Sequence, residues 1–161
     1  MCGRIVQKTP PKEIALRFGV PDTNIRSTEN FNPRYNIAPS LQIQAVRLMP
    51  NGERELLALT WGLLPSWAKE SKISFATSNA RAETVAEKPT FRNAFKSRRC
   101  LIPVDGYYEW HATPTIKQPW YISAKDDQPL ALAGLWEEWK GEGKVIESCT
   151  IIVTSANELM R

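Results

Sequence analysis

The sequence predicts an α+β domain whose strands pair mainly in antiparallel fashion, with short flanking helices. Two alternating runs, LQIQAVRLM and ERELLALTW, flank Asn51-Gly52 and read as a hairpin. Five further short apolar runs between residues 98 and 153 read as strands: RRCLIPV, GYYEW, PWYIS, LALAGLW and VIESCTIIV. Helical spacing is confined to brief stretches, so strands outnumber helices.

Taken in order, PPKEIALRF (residues 10–18) reads as a short helix with proline near its start and Ile14, Leu16 and Phe18 as its apolar residues. Residues 20–39 contain Pro21, Pro33 and Pro39 without clear periodicity and read as a long ordered loop. The Asn51-Gly52 pair tolerates the positive φ angles of a type I′ turn, which the hairpin is expected to use. NARAETVAE and TFRNAFKS read as two helical segments separated by Lys88-Pro89. At the end, SCTIIVT reads as a buried strand, and Ser155 to Glu158 have the S-x-x-E form of a capping box. A helix is expected to start there, yet the chain stops at Arg161, so the domain is expected to lack its C-terminal segment. No internal repeat, linker or low-complexity stretch interrupts residues 1–161, which form one domain.

The chain's 161 residues can bury a core without staples, and its 42% hydrophobic and 24% charged content is ordinary for a soluble protein. No apolar run reaches membrane-spanning length, and no signal sequence opens the chain. Cys2, Cys100 and Cys149 are odd in number and widely spaced, which favours free thiols and a cytoplasmic location. With His111 the only histidine and no CxxC, a metal site has almost no support, and no cofactor signature is present. A net charge of +4 leans weakly towards an anionic partner.

Four groups carry chemistry. Cys2 follows Met1 directly, and Met1 is removable when the next side chain is small; an N-terminal cysteine then presents an amine and a thiol on adjacent carbons. The alternative is a chance residue on a frayed terminus. Arg4 would lower the thiol pKa if the two lie close in space. WGLLPSW, with Trp61 and Trp67, reads either as a stacking platform for unpaired bases or as a cap on the core. In SNARAET, Asn79 reads as a helix N-cap that could also donate its amide to a substrate oxygen, and Arg81 suits a phosphate. In DGYYEW, strand alternation sets Asp105, Tyr107 and Glu109 on one face and Tyr108 and Trp110 on the other. Glu109 is either a surface carboxylate or, desolvated among aromatics, a general acid/base near neutrality. His111 reads as a loop residue, and KSRR (residues 96–99) as a solvated basic edge or, second, a DNA-facing one.

MCGR, RYNIAP, WGLLPSW, NARAET, RRCLIPVDGYYEW and TSAN occur in this order, and together the sequence closely resembles the SOS response-associated peptidase (SRAP) family. The resemblance implies a barrel-like core and processing of abasic sites in single-stranded DNA, bound by a monomer that can associate with the nucleoid. It implies Cys2 as the nucleophile that forms a thiazolidine crosslink, Asn79 as the residue that orients the opened sugar or the Cys2 terminus, and Glu109 as general acid/base. It implies Arg4 and Arg81 as phosphate contacts, Trp67 and Trp110 as wedge or stacking residues, and lyase-type and autopeptidase activity that removes Met1. Family members carry a histidine in an IHxRMP-like segment after TSAN; this chain ends before it, and the role does not transfer to His111. Two other classes remain open at this stage: a noncovalent module for single-stranded DNA or a modified base, and an N-terminal cysteine hydrolase.

Overall fold

The computed structural model describes residues 2–26, 31–112 and 115–158. The elements run β1 (Arg4–Gln7), α1 (Pro11–Phe18), β2 (Arg34–Ile37), β3 (Gln42–Leu48), β4 (Arg54–Trp61), β5 (Asn79–Arg81), α2 (Arg92–Ser97), β6 (Arg99–Val104), β7 (Gly106–Ala112), β8 (Lys117–Ile122), β9 (Leu130–Gly141) and β10 (Lys144–Val153). One sheet has the order β2-β1-β7-β8, the other β4-β3-β6-β9-β10-β5. A further parallel pairing of β10 with β4, through Ser148↔Thr60 and Cys149↔Trp61, closes the second sheet into a five-stranded barrel, with β5 attached outside β10. The expected mainly antiparallel, barrel-like α+β fold is what the chain adopts. No described helix is long and apolar enough to cross a membrane.

Strand alternation explains the barrel. Ile43, Ala45, Leu57, Leu59, Trp61, Cys100, Ile102, Cys149 and Ile151 share one buried cluster inside it. Some of the intervening residues, which face outward, are covered by the helices. Val46 and Leu56 pack with Ile14, Ala15 and Phe18 of α1, while Leu135 and Ala80 pack with Phe91 and Ala94 at α2. Both faces of β3 and β4 are largely buried, so polar residues of these strands such as Gln44, Arg47 and Glu55 are buried too.

The inward series continue at one end as charge. Arg47 follows Ile43 and Ala45; Glu55 precedes Leu57; Glu147 precedes Cys149. The Arg47 guanidinium donates to Glu55 at 2.6 Å and Glu147 at 2.7 Å, and lies 4.0 Å over the Trp136 ring. This plug closes the barrel at the start of β10, leaving the Val153 end for Cys2, Ile5 and Ile37 of the other sheet, which join the same core cluster.

The β3–β4 hairpin forms as expected, from Gln42↔Thr60 to Leu48↔Arg54, but its turn differs. Gly52 N–H donates to Met49 O, Met49 N–H to Glu53 O, and Gly52 alone takes a positive φ, of 83°. This is a three-residue loop with glycine in the left-handed position, not type I′. Pro50, with φ fixed near about −65°, is compatible with the first corner of that loop and not with the positive φ of a type I′ corner.

Three further expectations are corrected. The expected loop over residues 20–39 contains a 3-10 turn at Asp22–Asn24 and the edge strand β2, which pairs with β1 through Ile5↔Ile37. The expected helix at NARAETVAE is strand β5 followed by turns, because parallel pairing with β10 (Ile151↔Asn79, Val153↔Arg81) overrides a locally helical composition. Asn79 is therefore no helix N-cap. At the C-terminal end, Ser155 donates to Glu83 and residues 154–157 carry no helix, so the helix expected to start at the Ser155–Glu158 capping box does not form over them; the remainder of that expectation falls on residues 159–161, outside those described.

Candidate active site: the Cys2 cleft

Cys2 sits two residues before the start of β1, whose antiparallel register with β7 (Arg4↔Tyr108, Ile5↔Tyr107) directs the start of the chain towards Glu109. The residue is buried, 5% exposed, within the core cluster rather than on a frayed end. Burial, reinforced by the Glu109 carboxylate, pushes its thiol up to about 12, so at neutral pH it is a protonated thiol. Arg4 does not offset this. It pairs opposite Tyr108 and donates to Asn36 at 2.8 Å, so the expected thiol activation by Arg4 is absent.

Asn79 reaches Cys2 from the other sheet. Its Nδ2 donates to the Cys2 carbonyl at 2.8 Å, while its buried Oδ1 has no hydrogen-bond partner among the described residues. The position of Asn79 is set from below. Ser78 O accepts the Trp61 indole N–H at 2.8 Å and the Ile151 N–H at 3.0 Å, pinning the start of β5 to the barrel. Trp61 is thus a core residue, completely buried, which resolves the open reading of WGLLPSW for its first tryptophan. Trp67, 59% exposed, lies on the loop beyond β4 and does not line the cleft that contains Cys2.

That cleft holds about 920 Å³. From β7 and β8 come Tyr107, Glu109, Trp110, His111 and Trp120; from β5 and the end of β10 come Arg81, Glu83 and residues 154–157. Alternation along β7 holds for Tyr107 and Glu109, whose charge also bears on the Tyr107 hydroxyl. Burial first, then Cys2 and Glu109, raises its pKa. Asp105 precedes β7 and turns away, accepting the Lys8 and Thr9 backbone N–H groups. His111, expected in a loop, is in β7 opposite Gln118, where the hairpin extends past Glu109. No group of three or more His, Cys, Asp or Glu side chains among the described residues is arranged to hold a metal.

Two cleft residues escape sequence reasoning. Trp120, 61% exposed, stands directly opposite Glu109 in the β7–β8 register. The PWYIS strand was legible, but its register depends on the turn between β7 and β8. Glu83 bridges the two chain segments of the barrel-side wall; hydrogen bonds from its own backbone N–H, Thr154 and Ser155 hold its carboxyl below the usual range. Its place in NARAET, next to a strand rather than inside a helix, was hidden by the misread secondary structure.

Comparison with known proteins identifies the family. The family profile described as SOS response associated peptidase (SRAP) matches residues 1–161. The chain is 42% identical to the abasic site processing protein YoqW of Bacillus subtilis over 99% of its own length and 71% of that protein. It is 29% identical to the abasic site processing protein HMCES of Xenopus tropicalis, over 99% of its own length and 59% of that protein. A crystal structure of a Bacteroides thetaiotaomicron protein superposes with a TM-score of 0.84 at 27% identity, covering 98% of this chain and 70% of that one. On the strength of a profile match over its whole length and of these relatives, the chain belongs to the SRAP family.

Proposed function

We propose that this protein captures abasic sites in single-stranded DNA by forming a covalent bond through Cys2. The observation that carries the reading is the meeting of three residues from separate segments: Cys2 and Glu109, which line one cleft and whose thiol and charge bear on each other, and Asn79, whose amide donates to the Cys2 carbonyl behind it. The names of the relatives, abasic site processing proteins, supply the substrate.

Removal of Met1, the peptidase step, exposes the Cys2 α-amine. The neutral α-amine makes the first attack, and the thiol closes the ring only once the imine has formed. It adds to the C1′ aldehyde of the ring-opened sugar to give a carbinolamine, and loss of one water leaves an imine. The thiol sulfur then adds to the imine carbon, and its proton passes to the nitrogen. The product is a thiazolidine, so aldehyde plus aminothiol gives ring plus one water. Glu109 assists ring opening, dehydration and the final proton transfer as general acid/base. Asn79 orients Cys2 through its amide on the Cys2 carbonyl. Arg81 meets a phosphate at the rim, and Trp110 and Trp120 offer stacking faces at the cleft mouth. Arg4 and Trp67 serve DNA outside the cleft.

The test is to incubate Met1-processed protein with single-stranded DNA bearing one abasic site, beside Cys2→Ala and Cys2→Ser. A denaturation-resistant adduct that requires Cys2 is the expected result. Salt-sensitive binding without an adduct would replace this reading by noncovalent recognition, and turnover of small amides without DNA by hydrolysis.

A further inference from the structure

Glu83 has no part in the chemistry above, yet it lines the cleft two residues past Arg81. The parallel ladder between β5 and β10 ends where Ala82 N–H donates to Val153 O at 2.8 Å. Beyond that bond, residues 154–157 form the cleft wall without regular structure. One oxygen of Glu83, Oε1, accepts from Thr154 Oγ1 at 3.0 Å, from the Ser155 N–H at 3.2 Å and from Ser155 Oγ at 3.5 Å. An ionised carboxylate is an acceptor-only group suited to gathering several donors in this way. A negative charge at the rim of a cleft for a polyanion also opposes binding, and here it partly neutralises the neighbouring Arg81. Its position is explained by the wall it holds rather than by contact with DNA.

We propose that Glu83 is a positioning residue that fixes the wall formed by residues 154–157 at the spacing that brings a ring-opened abasic sugar onto Cys2 and Glu109. The inference rests on reading the cleft as the abasic-site pocket. It separates two effects that a folding defect would move together. Loss of the carboxylate should slow crosslinking and, by unmasking Arg81, leave DNA affinity unchanged or tighter.

The experiment compares wild type, Glu83→Ala and Glu83→Gln as the whole chain after Met1 removal. Single-turnover adduct formation is followed against DNA concentration, and anisotropy measures binding to an intact single strand of the same length. Hydrogen exchange is read at the Ser155 amide. Expected for Glu83→Ala is a maximal crosslinking rate about tenfold lower, with a half-saturating DNA concentration no higher than wild type. Glu83→Gln, whose amide oxygen still accepts, should restore the rate to within about threefold. Exchange at Ser155 should rise in Glu83→Ala while the buried Ile151 amide, bonded to Ser78 O, stays protected. An unchanged rate, or a rate and an affinity that fall together with the melting temperature, would overturn the inference. If wild type forms no adduct, the proposed function fails instead, and the Ser155 exchange arm still decides whether Glu83 holds the wall.

Discussion

Asn79→Ala isolates the tether between the two sheets at Cys2, the residue proposed to react. The Asn79 Nδ2 donates to the Cys2 carbonyl at 2.8 Å in a partly buried setting, and alanine leaves that acceptor unsatisfied. An unmet buried acceptor costs about 1–3 kcal/mol. If that cost falls on the reactive placement of Cys2, crosslinking slows by about 5- to 150-fold, at about 1.4 kcal/mol per decade. The β5–β10 ladder is made by backbone groups and is untouched, so melting should shift by only about 2–4 °C per kcal/mol lost. Asn79→Asp is the sharper control, because it sets an anionic oxygen against the Cys2 carbonyl oxygen and should be at least as slow. The assay is the single-turnover rate of adduct formation at saturating abasic DNA, with affinity for intact single strand measured in parallel. An Asn79→Ala rate within about twofold of wild type, in a protein of unchanged melting temperature, would refute the tether as a determinant of reactivity.

Glu109→Gln should slow adduct formation while affinity for DNA stays within about threefold, since a proton-transferring carboxylate acts on the barrier and not on the phosphates; a large loss of affinity would argue for a binding role. Stability should also fall in alkali. Burial raises the Cys2 and Cys100 thiols from 9.0 to about 12, and raises Cys149 well above 9.0, so the folded state keeps protons that the unfolded chain releases. This contribution is full below pH 9.0 and is lost as pH rises towards 12. At about pH 10, Cys2 and Cys100 together should withdraw about 3 kcal/mol, lowering the melting temperature by about 6–12 °C relative to pH 8. A flat melting temperature between those two values would show that the thiols are not buried as described.

By itself, the sequence determined the local pairings and the reactive types. Asn51-Gly52 between alternating runs specified the β3–β4 hairpin, and the apolar runs specified β6 to β10, because period-two patterns and turn residues act over a few positions. The chemistry of an N-terminal aminothiol was likewise legible in Cys2, and the motifs around Asn79 and Glu109 pointed to their involvement. Only the tertiary structure decided that NARAET opens as a strand, Asn79–Arg81, since the partner that makes it one, β10, lies some 70 residues away in the chain. It alone separated Trp61, sealed in the barrel, from Trp67 on the surface, two tryptophans in one motif with identical local claims. It also set Arg4 away from the thiol and brought Trp120 beside Glu109. Each of these depends on closure of a sheet or on register between distant strands, and neither is encoded in the spacing of neighbouring residues. Cys2 itself shows the division: its thiol and its place directly behind Met1 are sequence facts, but its burial, with the Asn79 amide on its carbonyl and Glu109 near its thiol, exists only when two sheets meet at one end of the barrel.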